Sequence, residues 1–433
     1  MSALEGSFEG DRGETPILTL PWYERRKNVI WAFVGLHVAF LIALSPAIFT
    51  GDALGDLPLY RSWAFAGLGL GEWEGISLQW VYPIGALVPI VAAALAGPLL
   101  YQLLWFLMTT ALNALSIVVL TKDGKANSFR AAWWWMLFLL LMSPVALLRL
   151  EGITAPLVVI GLTLVARRPV VASFLLSAAA WIKVWPAAVV LALVTAERRR
   201  WTILCGGIAL TLAIVVTVYA FGGIRFIDGF IAMQSDRGLQ LEAPISSLWL
   251  WMADLGVPGA YIWVNTSINA EEVTGPGDSI AAGVMDIAML GVVLAILALM
   301  IWILRTRRQD AGLFLVGSLA LVTALVVFNK VGSPQYMLWI APVVVVGLRF
   351  DWRGWRTPAV LLMVIAALTT IVFPILYIPL TEGDMGVAAL LTARNGLLVA
   401  VLVWAVAQLW AMARAPRVAA ESLRLDSALS MSE

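Results

Sequence analysis

"RRPVVASFLLSAAAWIKVWPAAVVLALVTAERRR", residues 167–200, carries arginines at both ends and an apolar stretch between them. Membrane proteins keep Lys and Arg on the cytoplasmic side of their spans. Both ends of this stretch therefore read as cytoplasmic, and the chain between them has to enter the membrane and come back. Two full crossings take about 40 residues, far more than 170–196 provides. The stretch predicts a short helical hairpin that turns inside the membrane at "IKVWP", with Lys183 and Pro186 at its tip.

The rest of the chain has the same character. Of 433 residues, 61% are hydrophobic and 13% charged, against about 25% charged in a soluble domain. Apolar runs fall at 28–48, 83–120 (broken at Gly97-Pro98), 131–148, 152–166, 170–196, 201–222, 279–304, 311–328, 336–350, 357–380 and 386–413. Basic clusters at 24–28, 122–130, 166–169, 197–200, 305–308 and 349–356 orient them. The expected architecture is all-α and polytopic, with about 12 transmembrane or partly spanning helices. It predicts cytoplasmic tails at 1–27 and 414–433 around a membrane domain at 28–413. Residues 1–27 do not read as a cleavable signal. The expected location is the plasma membrane, with both termini cytoplasmic. Short helices such as 152–166 and the hairpin imply a cavity at the outer side, bordered by the outer loops 49–82 and 223–278.

Composition narrows the chemistry. A net charge of +1 gives no field for nucleic acid. One Cys (Cys205) and one His (His37) leave no disulfide within the chain, no cysteine- or histidine-rich metal site and no Ser–His machinery. No metal or other cofactor is expected. His37 lies inside the first apolar run and reads as a packed helix residue. Polar and ionisable residues gather instead at the expected outer side: Asp52, Asp56, Tyr60, Arg61 and Tyr82, then Arg149 and Glu151, Lys183, Arg237 and Glu242, and Lys330, Gln335 and Tyr336. Arg394 and Asn395 interrupt the last helix. Charges at membrane depth are costly and mark functional cavities. Cations beside carboxylates suit a phosphate-linked substrate, with a carboxylate taking a proton from a hydroxyl.

Seven motifs carry a resemblance: "GDLPLYRSWA" (55–64), "VYPIGAL" (81–87), "LLRLEGI" (147–153), "WIKVWPAAVVL" (181–191), "SDRGLQLEAP" (235–244), "NKVGSPQYMLWIAP" (329–342) and "TARNGLL" (392–398). In this order they resemble the actinobacterial family 87 glycosyltransferases, over about residues 28–410. That family belongs to the GT-C superfamily of polyprenyl-phosphate-sugar-dependent enzymes. The resemblance implies a GT-C fold and transfer of a sugar, mannose first, from a polyprenyl phosphosugar donor to a glycolipid or glycan acceptor among the lipids of the outer leaflet. The anomeric carbon is inverted by single displacement. The family's Asp-Leu-x-x-Tyr pattern falls on Asp56, Leu57 and Tyr60, which implies Asp56 as the base. Lys183, Lys330 and Arg237 become candidates for the donor phosphate. Tyr60, Arg61, Tyr82, Arg149, Glu151, Glu242, Gln335 and Tyr336 become candidates for substrate contact. The chain departs from the family at Ile84, where a second Pro is common, and at Glu151, where Asp is common.

Plainer readings stand beside these. Asp56 is also placed to cap the helix that starts at Leu57 and Pro58, and Asp52 competes with it as cap or base. Lys183 has Glu151 as a potential partner, and Arg149 and Glu151 are close enough in sequence to pair with each other. The stretch 226–242 has apolar residues at helical spacing and predicts a helix lying in the interface. A lipid or small-molecule transporter is the rival function. Transporters commonly carry internal repeats with charges near the midplane, whereas this chain has no evident repeat and collects its charges at one face.

Overall fold

The computed structural model describes residues 21–51, 55–235, 237–266, 270–306 and 312–414. Asp52, Asp236, residues 1–20 and residues 415–433 of the expected tails lie outside the described residues.

Among the described residues, six helices are long and apolar enough to cross a membrane. They are α1 (Arg26–Thr50), α4 (Gly97–Leu120), α9 (Arg200–Ala220), α12 (Asp278–Thr306), α15 (Arg356–Thr370, extended by a widened turn to Ile375) and α17 (Met385–Arg414). Between them lie shorter apolar helices: α3 (Leu87–Ala94), α5 (Ala126–Leu141), α6 (Glu151–Leu164), α7 (Pro169–Ile182), α8 (Pro186–Ala196), α13 (Leu313–Val327) and α14 (Met337–Phe350). α2 (Leu57–Leu70) follows α1. The chain is an all-α multi-pass membrane protein, with one small sheet among the described residues.

The predicted hairpin is present. α7 stops at Ile182, Lys183 takes an extended conformation, and Pro186 opens α8. Helices of this length rise only about 20 Å, short of a hydrocarbon core about 30 Å thick. The predicted break at Gly97 is also present, with φ +77° between α3 and α4. α6, α13 and α14 are buried on nearly every side, the mark of central helices. α9 and α12 bury few residues and form the rim.

Three expectations need correction. The run 131–148 is a helix only to Leu141, because the Ser143-Pro144 segment forces a series of turns that carries Arg149. The run 357–380 breaks at Pro374, and a separate short helix, α16 (Tyr377–Thr381), follows. The stretch 226–242 is helical only over α10 (Gly229–Ser235). It then becomes β1 (Leu239–Gln240), on the edge of an antiparallel sheet ordered β1–β3–β2 with β2 (Tyr261–Asn265) and β3 (Ala270–Thr274). Gly238 lets the chain pass the Glu272 carboxylate, where a Cβ would lie 2.8 Å from an oxygen. The short helix α11 (Ser247–Asp254) completes this segment.

The helix directions separate two polar ends. α6 begins at Glu151 and ends next to Arg167, α4 ends beside Lys122, and α14 starts after Tyr336 and ends at Arg349 and Phe350. One end of the bundle therefore holds Glu151 and Tyr336, and the other holds Lys122, Arg167 and Arg349. His37 is buried in α1 against the Phe33 carbonyl, with Nδ1 3.0 Å away, as a packed helix residue should be.

Candidate active site

Asp56 occupies the cap position of α2 but makes no capping bond with its side chain. Its carboxylate accepts instead from Arg149 Nη1, at 3.0 Å to Oδ1 and 2.9 Å to Oδ2. The Tyr60 hydroxyl donates to Oδ2 at 3.1 Å, because a spacing of four residues stacks the two side chains on one helical face. Gly55, at φ +119°, makes the approach possible. A Cβ there would lie 3.2 Å from Arg149 Nε, in a backbone region that side chains avoid. Arg61 points elsewhere and lies against Gly51 at the end of α1.

Glu151 opens α6 with a fully buried side chain and pairs with Lys183 Nζ at 3.0 Å. The expected Arg149–Glu151 pair does not form. Residues two apart at a helix start point to different sides, so Arg149 turns to Asp56 and Glu151 turns inward to the hairpin. Trp339 Nε1 also donates to Glu151 Oε1 at 3.3 Å. The Lys183 ammonium sits 4.4 Å from the centre of the Tyr82 ring, an attractive cation–π contact. Tyr82 in turn meets Tyr60 edge-on at 6.2 Å, which links the two ion pairs through a pair of rings. Tyr336 stacks on Trp339 at 3.8 Å.

A third group of polar residues lies alongside. Glu242 is buried, and its Oε1 accepts from the Tyr377 hydroxyl at 3.0 Å. Burial pushes the Glu242 carboxyl above its usual range, with Tyr377, Arg394 and Arg149 acting in the opposite direction. Arg394 and Asn395 of α17 are buried too, and Asn395 Nδ2 donates to Ser247 Oγ at 2.9 Å. Arg149 is within electrostatic reach of Glu242 and Tyr377, and Arg237 is within reach of Tyr336. Arg149 Nε, Glu151 Oε2, Arg237 Nε, Glu242 Oε2 and Gln335 Oε1 are buried polar atoms with no hydrogen-bond partner.

Two glycines seal the region. A Cβ on Gly85 of "VYPIGAL" would sit 2.6 Å from the Trp181 carbonyl, so this loop rests directly on the hairpin. A Cβ on Gly332 of "NKVGSPQY" would sit 2.2 Å from the Ala243 nitrogen. The 329–336 loop is tied to the sheet segment through Gln240, whose Oε1 accepts from Gly332 N at 3.0 Å. Lys330 in that loop pairs with Asp286 of α12 at 2.9 Å, a different acid from the partner of Lys183. Asp56 keeps 25% of its side chain exposed, while Lys183 and Arg149 keep 14% and 11%.

Asp56, Tyr60, Tyr82, Arg149, Glu151, Lys183, Tyr336, Arg237 and Glu242 therefore share one end of the bundle, although they come from six separate motifs. Trp339 and Tyr377 escaped the sequence reading. The signal for Tyr377 was Pro374, which breaks the helix just before it. Trp339 carried no signal beyond its place in the last residues of a motif. Among the described residues, no group of three acids, histidines or cysteines is placed to hold a metal ion.

The model of glycosyltransferase family 87 matches residues 80–328. Among solved structures, the chain is similar to ArnT from Cupriavidus metallidurans bound to undecaprenyl phosphate, with a TM-score of 0.44 and 14% identity over 88% of this chain and 77% of that one. No curated protein matches the sequence. The family match takes in more than half of the chain, including the "VYPIGAL", "LLRLEGI", "WIKVWPAAVVL" and "SDRGLQLEAP" segments, and the protein belongs to glycosyltransferase family 87.

Proposed function

We propose that this glycosyltransferase moves a sugar, with mannose as the first candidate, from a polyprenyl monophosphate donor to a glycolipid or glycan acceptor at the outer leaflet of the plasma membrane. Asp56 is the general base. The acceptor O–H gives its proton to an Asp56 oxygen. The acceptor oxygen forms the new bond to the anomeric carbon, the carbon–oxygen bond to the phosphate breaks, and the polyprenyl phosphate departs with the electron pair. The displacement inverts the anomeric carbon. Arg149 and Tyr60 fix the direction of the carboxylate, and Lys183 and Arg237 supply positive charge for the leaving phosphate. Lys330 is already paired with Asp286, and its part in this reading is to anchor the 329–336 loop.

The observation that carries the reading is the environment of Asp56. Among the described residues of this end, Asp56 combines two fixed hydrogen-bond donors with a partly exposed side chain, whereas Glu151 and Glu242 are buried. The basic clusters at the opposite end support a cytoplasmic assignment for that end, with both termini on the same side. The test is sugar transfer by the purified protein from radiolabelled polyprenyl phosphomannose to a membrane lipid extract. Wild type should form a labelled product of inverted configuration and release polyprenyl phosphate, and Asp56→Asn, at normal protein level, should not. Full activity in Asp56→Asn removes the base assignment. Lipid movement without donor consumption makes the protein a transporter.

A further inference from the structure

The end of the bundle opposite Asp56 holds a concave site of its own. A cavity of about 210 Å³ is lined by Lys122, Lys125, Arg167, Arg168, Arg349 and Asp123. These residues come from three separate parts of the chain: the turn after α4, the turn after α6 and the last turn of α14. The carboxylate is fully committed. Asp123 Oδ2 pairs with Arg349 Nη2 at 2.6 Å, and Oδ1 accepts from Ser128 Oγ at 2.6 Å. Arg349 is also held by the Leu120 carbonyl, which accepts from Nε at 3.0 Å. Among the described residues, no acid lies within ion-pair distance of Lys122, Lys125, Arg167 or Arg168. Five cations therefore share one recess with a single carboxylate, Asp123, which is paired with Arg349 and also lies within electrostatic reach of Lys125, so the recess carries a clear excess of positive charge.

Orientation in the membrane needs basic residues near the ends of spans. It does not need them drawn together around a cavity from three helix ends. Such an arrangement costs mutual repulsion unless an anion occupies it. The volume is below the roughly 300–1,000 Å³ of pockets that enclose a drug-sized molecule, and it suits a single headgroup phosphate. Val119 and Leu164, close to the ends of α4 and α6, form an apolar part of the lining. Charged walls with an apolar floor fit a phosphate that carries a lipid tail better than a free ion.

We propose that this cavity binds the phosphate of an anionic phospholipid headgroup, at a site separate from the glycosyl-transfer site at the other end of the bundle. The inference stands on the cavity alone and does not rest on the donor or on the role of Asp56.

The experiment uses the full-length protein in phosphatidylcholine nanodiscs with increasing fractions of phosphatidylglycerol, with thermal unfolding as the readout. A lipid that binds the folded state raises the midpoint in a saturable way. Wild type should show such a rise. The R167Q/R168Q variant should need about thirty-fold more phosphatidylglycerol for the same rise, which corresponds to ~1 kcal/mol per cation removed. Arg356→Gln, an exposed cation at the start of α15 outside the cavity, should behave like wild type. If R167Q/R168Q does not fold, K122Q/K125Q carries the same expectation from a different helix end. A parallel titration in phosphatidylcholine alone uses inorganic phosphate. Saturable protection by phosphate that is equal to that by lipid assigns the site to a soluble phosphate compound. Equal responses of wild type, the cavity variants and Arg356→Gln overturn the proposal, because they leave only general attraction to an anionic surface. A response to neither anion overturns it as well.

Discussion

Arg149 Nη1 lies 3.0 Å from Asp56 Oδ1 and 2.9 Å from Oδ2, although the two residues are 93 positions apart in the chain. One guanidinium nitrogen shared between both oxygens fixes where the carboxylate points. Arg149→Lys keeps the charge but replaces a planar, rigid donor with a flexible point charge. We expect transfer by Arg149→Lys to fall about 10²-fold through misplacement of Asp56, with the apparent KM for donor little changed. An equal loss in KM instead of kcat would assign Arg149 to substrate binding.

The Lys183–Glu151 pair joins the hairpin tip to the start of α6, with the Glu151 side chain fully buried. Removing one partner leaves an uncompensated buried charge, at a cost of about 3–5 kcal/mol. Lys183→Ala and Glu151→Gln should therefore each lower thermal stability strongly, and E151Q/K183M should recover much of the loss. If Lys183 also holds the donor phosphate, the double variant regains stability without regaining donor affinity. Additive losses in the two single variants would show that the pair is not coupled.

Gly332 has no space for a side chain, since a Cβ would lie 2.2 Å from Ala243 N and 2.3 Å from the Glu242 carbonyl carbon. Both neighbours are backbone, so neither can rotate away. Gly332→Ala should cost about 1–3 kcal/mol and move the segment that carries Glu242. The expected result is a lower unfolding midpoint together with reduced transfer. Unchanged values for both would mean that the loop yields without cost.

The Asp123–Arg349 pair gives a pH-dependent contribution at the opposite end. Burial works against the Asp123 charge, but the Ser128 hydroxyl and the Arg349 guanidinium together hold its carboxyl below the usual carboxylate range. A carboxyl with a lowered folded pKa stabilises fully above the unfolded value, about pH 4, and the contribution is lost as pH falls through the folded value. Asp123→Asn should lower the unfolding midpoint at neutral pH, and the gap to wild type should close below about pH 4. A gap that is constant with pH would point to packing rather than charge.

Hydropathy and basic clusters are local properties, and they were enough to place most of the apolar helices, the short hairpin with Lys183 at its tip and the break at Gly97, but not the helix ends at Leu141 and Pro374. Residue order alone also brought the family motifs into view, and with them most of the residues that meet at the Asp56 end. The expected helix over 226–242 failed because an apolar rhythm at an interface does not reveal a strand partner far along the chain, where Gln240 pairs with Glu272. The choice of partner for each charge was equally out of reach. Arg149 and Glu151 are neighbours in sequence, yet the rotation of α6 sends one to Asp56 and the other to Lys183. Trp339 reaches Glu151 from 188 residues away. Which residues belong in the membrane follows from the free energy of moving each stretch out of water, so it can be read along the chain. Which charges neutralise each other follows from the rotation and depth of packed helices, and only the tertiary structure decides it.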